Sequence, residues 1–250
     1  MNEDAAFVRA IREQPDDETA RLVYADWLDD RSDPRAEYLR AEAAWATLPT
    51  ADEQSRPLFR RVSQLAAALD PEWFAAVSRL GHFARQAWER VGLVWQPHSH
   101  ERTTEPVREW LTAKRELENA FSRFVGPGAT ARRFCVPADY LAFMTTVGGD
   151  WARHHEWYEL YSAARAARTT DNLGDTFADE SAEHLEMWTA VAARGDKHDF
   201  FLCCDLENSR FGEVAEGEDY HPWMNGSNPM SSRGGSFLDF LRLHSCGPGG

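Results

Sequence analysis

The apolar residues of the first 80 positions recur at helical spacing, and the breaks between runs fall at Pro15, Pro34, Pro49 and Pro71. That pattern restricts this part of the chain to a set of helices. Phe7, Val8 and Ile11 form the inward side of the first, which Pro15 ends. Asp16 or Asp17 opens the second, where a carboxylate suits the positive end of the helix dipole. "RSDP" closes it, and Asp33-Pro34 restarts the chain as N-cap and first helical residue. Tyr38, Leu39, Ala41, Ala43 and Trp45 belong to a third helix that stops before Pro49. "RPLFRRVSQLAAALDPEWFAAVSRLG" gives a fourth helix and a short fifth, split at Asp70-Pro71. Connections this short make neighbouring helices pack antiparallel.

The second helix carries "RLVYADWLDD", residues 21–30. Ala20, Val23, Tyr24, Trp27 and Leu28 fall on one apolar stripe. Asp26 and Asp30 lie four apart on its flank, and with Asp29 they oppose the macrodipole at the helix end. Arg31, Arg35, Arg40 or a bound partner must offset them. Asp26 is expected to be partly buried against an arginine, and Arg35 is the foremost candidate because the tight "RSDPR" turn brings it back toward the helix end. Asp26, Asp29, Asp30 and Arg35 are therefore read as a structural acidic motif.

"AAFVRAIREQPDDETARLVYADWLDDRSDPRAEYLR", residues 5–40, resembles the short bacterial repeat-companion domain. That family's hallmark is a Pro-Asp-Asp turn, a Tyr-Ala-Asp-Trp-Leu helix and a Gly/Ser-Asp-Pro-Arg turn. The resemblance implies association with repeat proteins and brings no catalytic activity. Ser32 stands where the family usually has Gly, a change that costs little unless φ is positive there.

Beyond residue 80 the pattern mixes. "QPHSHERTTEP", residues 96–106, reads as a loop. "VREWLTAKRELENAFSRFV" is a helix with Val107, Trp110, Leu111, Leu117, Phe121 and Phe124 to one side, and "GPGATARR" breaks it. "VPADYLAFMTTVGGDW" starts a helix at Pro137, with Tyr140, Phe143, Met144 and Val147 inward and Gly148-Gly149 as terminator. "EWYELYS" suggests a short strand running into the helix "SAARAAR". "SAEHLEMWTAVAARG" reads as a further helix or an ordered loop. "DFFLCCDLENSRFGEVAEG" reads as two strands joined through Glu207-Asn208-Ser209. "GGSFLDFLRLHS" is a closing helix with Phe237, Phe240, Leu241 and His244 as inward candidates, and 247–250 are a frayed tail.

The order "VPADYLAFMTTVGGDW", "FFLCCDL…FGEV", "SFLDFLRL" is similar to the SUKH superfamily of Smi/Knr-like regulators and bacterial immunity proteins. Members tend to show a Leu/Ile-Pro-x-Asp-Tyr-x-x-Phe helix ending in Asn-Gly-Gly, then a strand pair and a terminal helix. Here Val136 takes the aliphatic position and Val147 replaces the Asn. The resemblance implies an α+β fold with a small antiparallel sheet flanked by helices, and binding of another protein, often a toxin. The expected organisation is a helical module over 1–80 and a SUKH-like domain over 81–250.

The net charge of −14 bears on partners. Residues 1–53 hold 14 acids against 6 arginines. That balance argues against nucleic acid, whose phosphates need basic surface. It permits a basic protein partner, a toxin nuclease being one example; acid that merely keeps the protein soluble is the plainer reading. No apolar run approaches the roughly 18 residues of a membrane helix. "MNEDAAFVRAIREQ" lacks the order of a secretory signal, so a cytoplasmic location is expected.

Four residue patterns bear on chemistry. Cys135, Cys203, Cys204 and Cys246 show no CxxC spacing and are read as reduced core residues, with Cys203 and Cys204 on opposite faces of a strand. His154 and His155, or His98 and His100, find no third ligand, so no metal or other cofactor is expected. The glycine clusters match no phosphate loop. A hydrolase remains as an alternative, using the Asp150–Glu156 segment or a Cys203/His198 pair. Ten tryptophans favour binding instead. Trp151, Trp157 and Trp223 fall by loops and strand ends near acids, and with Asp205, Glu207, Asn208 and Tyr220 they form the expected partner surface. The expectation is a non-enzymatic protein-binding module; a third reading makes it an accessory of repeat arrays that acts through residues 1–80.

Overall fold

The computed structural model describes residues 3–49, 54–91, 95–97, 105–153, 158–176, 186–195, 198–218 and 231–245. The chain is α+β, with helices dominating the N-terminal part and an antiparallel sheet in the C-terminal part. Six helices come first: α1 (Glu3–Glu13), α2 (Glu18–Asp29), α3 (Arg35–Ala46), α4 (Ser55–Ala67), α5 (Pro71–Val77) and α6 (Arg79–Val91). Asp17 caps α2 by accepting from the amides of Thr19 and Ala20, and Asp70 caps α5 through the Trp73 amide. Asp33 accepts from the Arg35 amide at the start of α3. The sixth helix was not expected. Ser78 separates it from α5, and its buried face is built from the small residues Gly81, Ala84 and Ala87 with Leu80 and Val91.

After β1 (Trp95–Pro97) come α7 (Pro106–Val125), α8 (Pro127–Arg133) and α9 (Ala138–Thr146). Gln96 and Pro97 thus belong to a strand, not to the expected loop, and Pro106 already lies in α7; residues 98–104 fall outside the described ones. "GPGATARR" does break the helix, at Gly126 (φ 86°), but then forms a turn of its own. Along α9 every side chain from Ala138 to Thr145 is buried. Gly148 and Gly149 end it with φ of 55° and 79°. Val147, at φ −109° and ψ −57°, stays in the right-handed region, so the absent Asn is not required there.

The remaining elements are β2 (Trp151–Arg153), β3 (Tyr158–Leu160), α10 (Ala163–Thr176), β4 (Trp188–Arg194), β5 (His198–Cys203), β6 (Val214–Glu218), β7 (Ser231–Gly234) and α11 (Phe237–Ser245). Among the described residues, the seven strands pair antiparallel with their neighbours in chain order. "WTAVAAR", expected as helix or loop, is the strand β4. It is covered on both faces, which erases the period-two alternation that marks a half-exposed strand. A bulge between Ala190 and Ala192 shifts its parity, so Val191 and Ala192 both join the larger core.

That core runs unbroken from Ile11 of α1 to Leu241 of α11 and takes in Phe200, Leu202, Cys204 and Val214 from one face of the sheet. Phe237 stands 4.8 Å from Tyr140 and 5.2 Å from Phe143, and Phe200 lies 5.1 Å from Phe240. His244, an inward candidate, packs 4.6 Å from Phe240. The other face holds a smaller cluster of Tyr161, Ala166, Trp188, Ala190, Phe201, Cys203 and Ala215. The boundary placed at residue 80 falls in the first turn of α6, and α4, α5 and α6 all pack on α9.

Candidate functional site

The β5–β6 connection carries three of the residues expected to meet a partner. Asp205 at its start is 1% exposed. Arg133 at the end of α8 grips both of its oxygens, one at 3.2 Å from Nε. The attachment is reinforced by backbone: Cys135 donates to the Cys204 carbonyl at 2.9 Å and Leu206 to the Arg133 carbonyl at 2.8 Å. The Asp205 carboxylate also accepts the Glu207 amide at 3.0 Å. Its hydrogen bonds raise the pKa of the Arg133 guanidinium and fix the turn. Asp205 is a structural anchor, out of reach of a partner. Asn208 is half-buried and offers its carbonyl to Arg60 of α4 at 2.8 Å, while Arg56 reaches the Ser209 carbonyl at 3.4 Å. Only Glu207 and Ser209 project; Glu207 is paired with Arg132 at 2.9 Å.

Trp151 does not join this turn's contacts. Its ring lies 4.3 Å from that of Trp88 on α6, and its indole N–H donates to the Gly148 carbonyl, so it is a half-buried packing residue. Trp157, Tyr220 and Trp223 lie outside the described residues. Of the expected surface, the structure brings together Asp205, Glu207 and Asn208.

The acidic motif of α2 is arranged differently from the expectation. The buried stripe is Arg21, Tyr24, Ala25 and Leu28, whereas Val23 is 51% exposed. Asp26 is exposed, and its partner is Arg40 at 2.8 Å, which also binds Asp29 at 3.0 Å. Arg35 instead turns back on Asp33 at 2.7 Å and on Asp4 of α1 at 3.1 Å. The reason is geometric. The turn after α2 brings Arg35 alongside α1, while Arg40 lies more than a helical turn further along α3, facing the outer side of α2. Asp30 is exposed at the C-cap.

Two buried polar groups were missed. Tyr24 donates to Asp4 at 2.5 Å and accepts from the Trp73 indole at 3.0 Å; burial and Asp4 push its hydroxyl pKa up. Glu42, 2% exposed, accepts from Tyr38 and Ser78 at 2.7 Å each and from the Leu80 amide at 3.1 Å, with Arg21 at 3.9 Å. Arg21 was detectable, since it precedes Tyr24, Ala25 and Leu28 at 3, 4 and 7 residues, the spacing of a single helix face.

Of the groups proposed for catalysis, the described cysteines and Asp150 are buried. Cys135, Cys203 and Cys204 are buried free thiols. Burial pushes Cys135 up to about 12 and the other two higher still, far from the thiolate a nucleophile requires. His198 and Cys203 stand at opposite ends of β5, about 16 Å apart at the strand rise. Asp150, 4% exposed, accepts the Ser162 amide ahead of α10. Glu156, His98, His100, His154, His155 and Cys246 lie outside the described residues. Among the described residues no three potential metal ligands cluster, and no helix is long and apolar enough to cross a membrane. Compared with family models, curated proteins and solved structures, the chain gives no match.

What the arrangement offers is relief. Leu22 and Val23, 41% and 51% exposed, stand on the outer side of α2 in the turn before Asp26 and Asp29. Two adjacent apolar side chains bordered by carboxylates suit a contact with a protein surface.

Proposed function

We propose that the chain is a non-enzymatic protein-binding module of the cytoplasm, acting on a basic partner as an immunity or docking protein. The observation that carries this reading is the outer side of α2, where exposed Leu22 and Val23 adjoin Asp26, Asp29 and Asp30. Apolar centres with charged rims concentrate binding energy, and the surrounding acid speeds encounter with a basic partner. The SUKH-like reading of the C-terminal half is supported by a contact between its motifs. Asp139 of "VPADY" accepts the Leu238 amide at 3.1 Å, so the first motif caps the helix that carries the last. This half presents Glu207, which makes the β5–β6 turn the second candidate surface.

The test uses the full chain as bait for proteins of its host, beside Leu22→Asp/Val23→Asp and Glu207→Ala. The reading expects a basic protein, eluted by salt, that is lost with the α2 double substitution. Loss with Glu207→Ala alone would move the docking surface to the turn. A parent chain that retains no protein would sink the proposal.

A further inference from the structure

A cleft of about 820 Å3 opens where α1, α2, α5 and α6 meet the start of α7. Its apolar wall comprises Ile11, Pro15, Ala76, Val107 and Leu111, the last 43% exposed. Its volume is that of a small-molecule site, within the usual range of about 300–1,000 Å3.

The lining mixes paired and unpaired charges. Most described arginines are ion-paired, as expected with 41 acids against 27 bases. Arg12 and Arg85, both exposed and both lining the cleft, have neither an ion pair nor a hydrogen-bond acceptor among the described residues. Most other charges of the lining have partners. Arg108 is paired with Glu105 at 3.1 Å, and the buried Arg21 is offset by Glu42. His82 contacts Gln86 at 2.7 Å and Asp16 at 3.4 Å. Glu72, in the first turn of α5, adds one carboxylate to the lining. Two guanidinium groups without an ion pair among the described residues thus share a cleft with an apolar wall in a strongly acidic protein.

We infer that this cleft binds a small amphipathic anion, a carboxylate, sulfonate or phosphate carried on an apolar body. Arg12 and Arg85 would hold the anionic group, for which the planar guanidinium is suited. Ile11, Ala76, Val107 and Leu111 would cover the body. Because the lining comes from both the first helices and α7, occupancy would also raise the melting temperature.

The probes are 8-anilinonaphthalene-1-sulfonate and N-phenyl-1-naphthylamine, which share the aromatic body and differ in the sulfonate. Fluorescence titration of the full chain should show one saturable sulfonate site, with weaker binding of the neutral amine. Arg12→Glu/Arg85→Glu should weaken the sulfonate about tenfold or more while moving the amine by less than threefold. Arg9→Glu/Arg90→Glu makes the same charge change at exposed positions outside the lining and should leave both affinities in place. Leu111→Asp should weaken both probes. No saturable sulfonate binding, equal loss in the two double variants, or an unchanged sulfonate affinity in Arg12→Glu/Arg85→Glu would overturn the assignment. Unfolding curves of each variant identify any loss that comes from a damaged fold.

Discussion

Ser32 has a φ of 54°, and the bonds around it define a helix stop: its amide reaches the Asp29 carbonyl at 2.8 Å, and the Asp33 amide reaches Leu28 at 3.0 Å. Glycine is the residue that adopts this conformation without a Cβ penalty. Ser32→Gly should therefore stabilise the chain by roughly 0.5–1 kcal/mol after the greater freedom of the unfolded glycine is subtracted. Thermal unfolding checks it, and a lowered melting temperature would contradict the strain argument. Asp139 carries the second prediction at this scale. Burial lifts its pKa from 3.8 to about 6, against the opposing pull of the Leu238, Tyr140 and Phe237 amides. The folded state thus holds this proton more tightly than the unfolded chain does. Its contribution is full below pH 3.8 and is lost as pH rises through 6. Relative to Asp139→Asn, the parent should gain roughly 2.5 kcal/mol between pH 7.5 and pH 4. Denaturant unfolding at stepped pH measures the difference; parallel curves would mean that Asp139 does not titrate in this window.

Where an element could be read from sequence, its evidence was local. Asp17 and Asp70 are caps because a carboxylate beside free amides acts within one turn, and the Phe237/Phe240/Leu241 face of α11 follows from helical spacing alone. Failures came where distant residues decide. Strand β4 is a strand because β3 and β5 flank it, and nothing within "WTAVAAR" states that. The ion pairs of α2 depend on where α1 and α3 lie, so Arg35 and Arg40 could not be distinguished from the turn sequence. Asp205 looked like a surface acid because Arg133 is 72 residues away. Gly212 tests such a distant contact. Its φ is 84°, and an added Cβ would stand 2.9 Å from Cε1 of Phe59 on α4. Gly212→Ala should cost about 2–3 kcal/mol through backbone strain and the clash together. If its denaturation midpoint equals the parent's, α4 and the β5–β6 turn are not in close contact.

For the molecule as a whole, the relevant fact is one core shared by the helical and sheet-bearing parts. Ser63 of α4 accepts the Ala138 amide at 3.0 Å, Phe59 packs 6.4 Å from Phe211, and α6 lies against both α9 and α11. Calorimetry of the full chain should give one cooperative transition, and a cut at residue 80 should leave neither fragment with a native melting curve. Two separate transitions would show that the parts are energetically independent. The sheet offers a finer view of the same coupling. Cys203 and Cys204 are chain neighbours, yet one thiol faces the small cluster and the other the large core. A thiol reagent can reach each only when its own layer parts from the sheet. Their alkylation rates are therefore two clocks on a single strand, one for each layer. Mass spectrometry of timed samples would tell whether the two faces breathe together or apart.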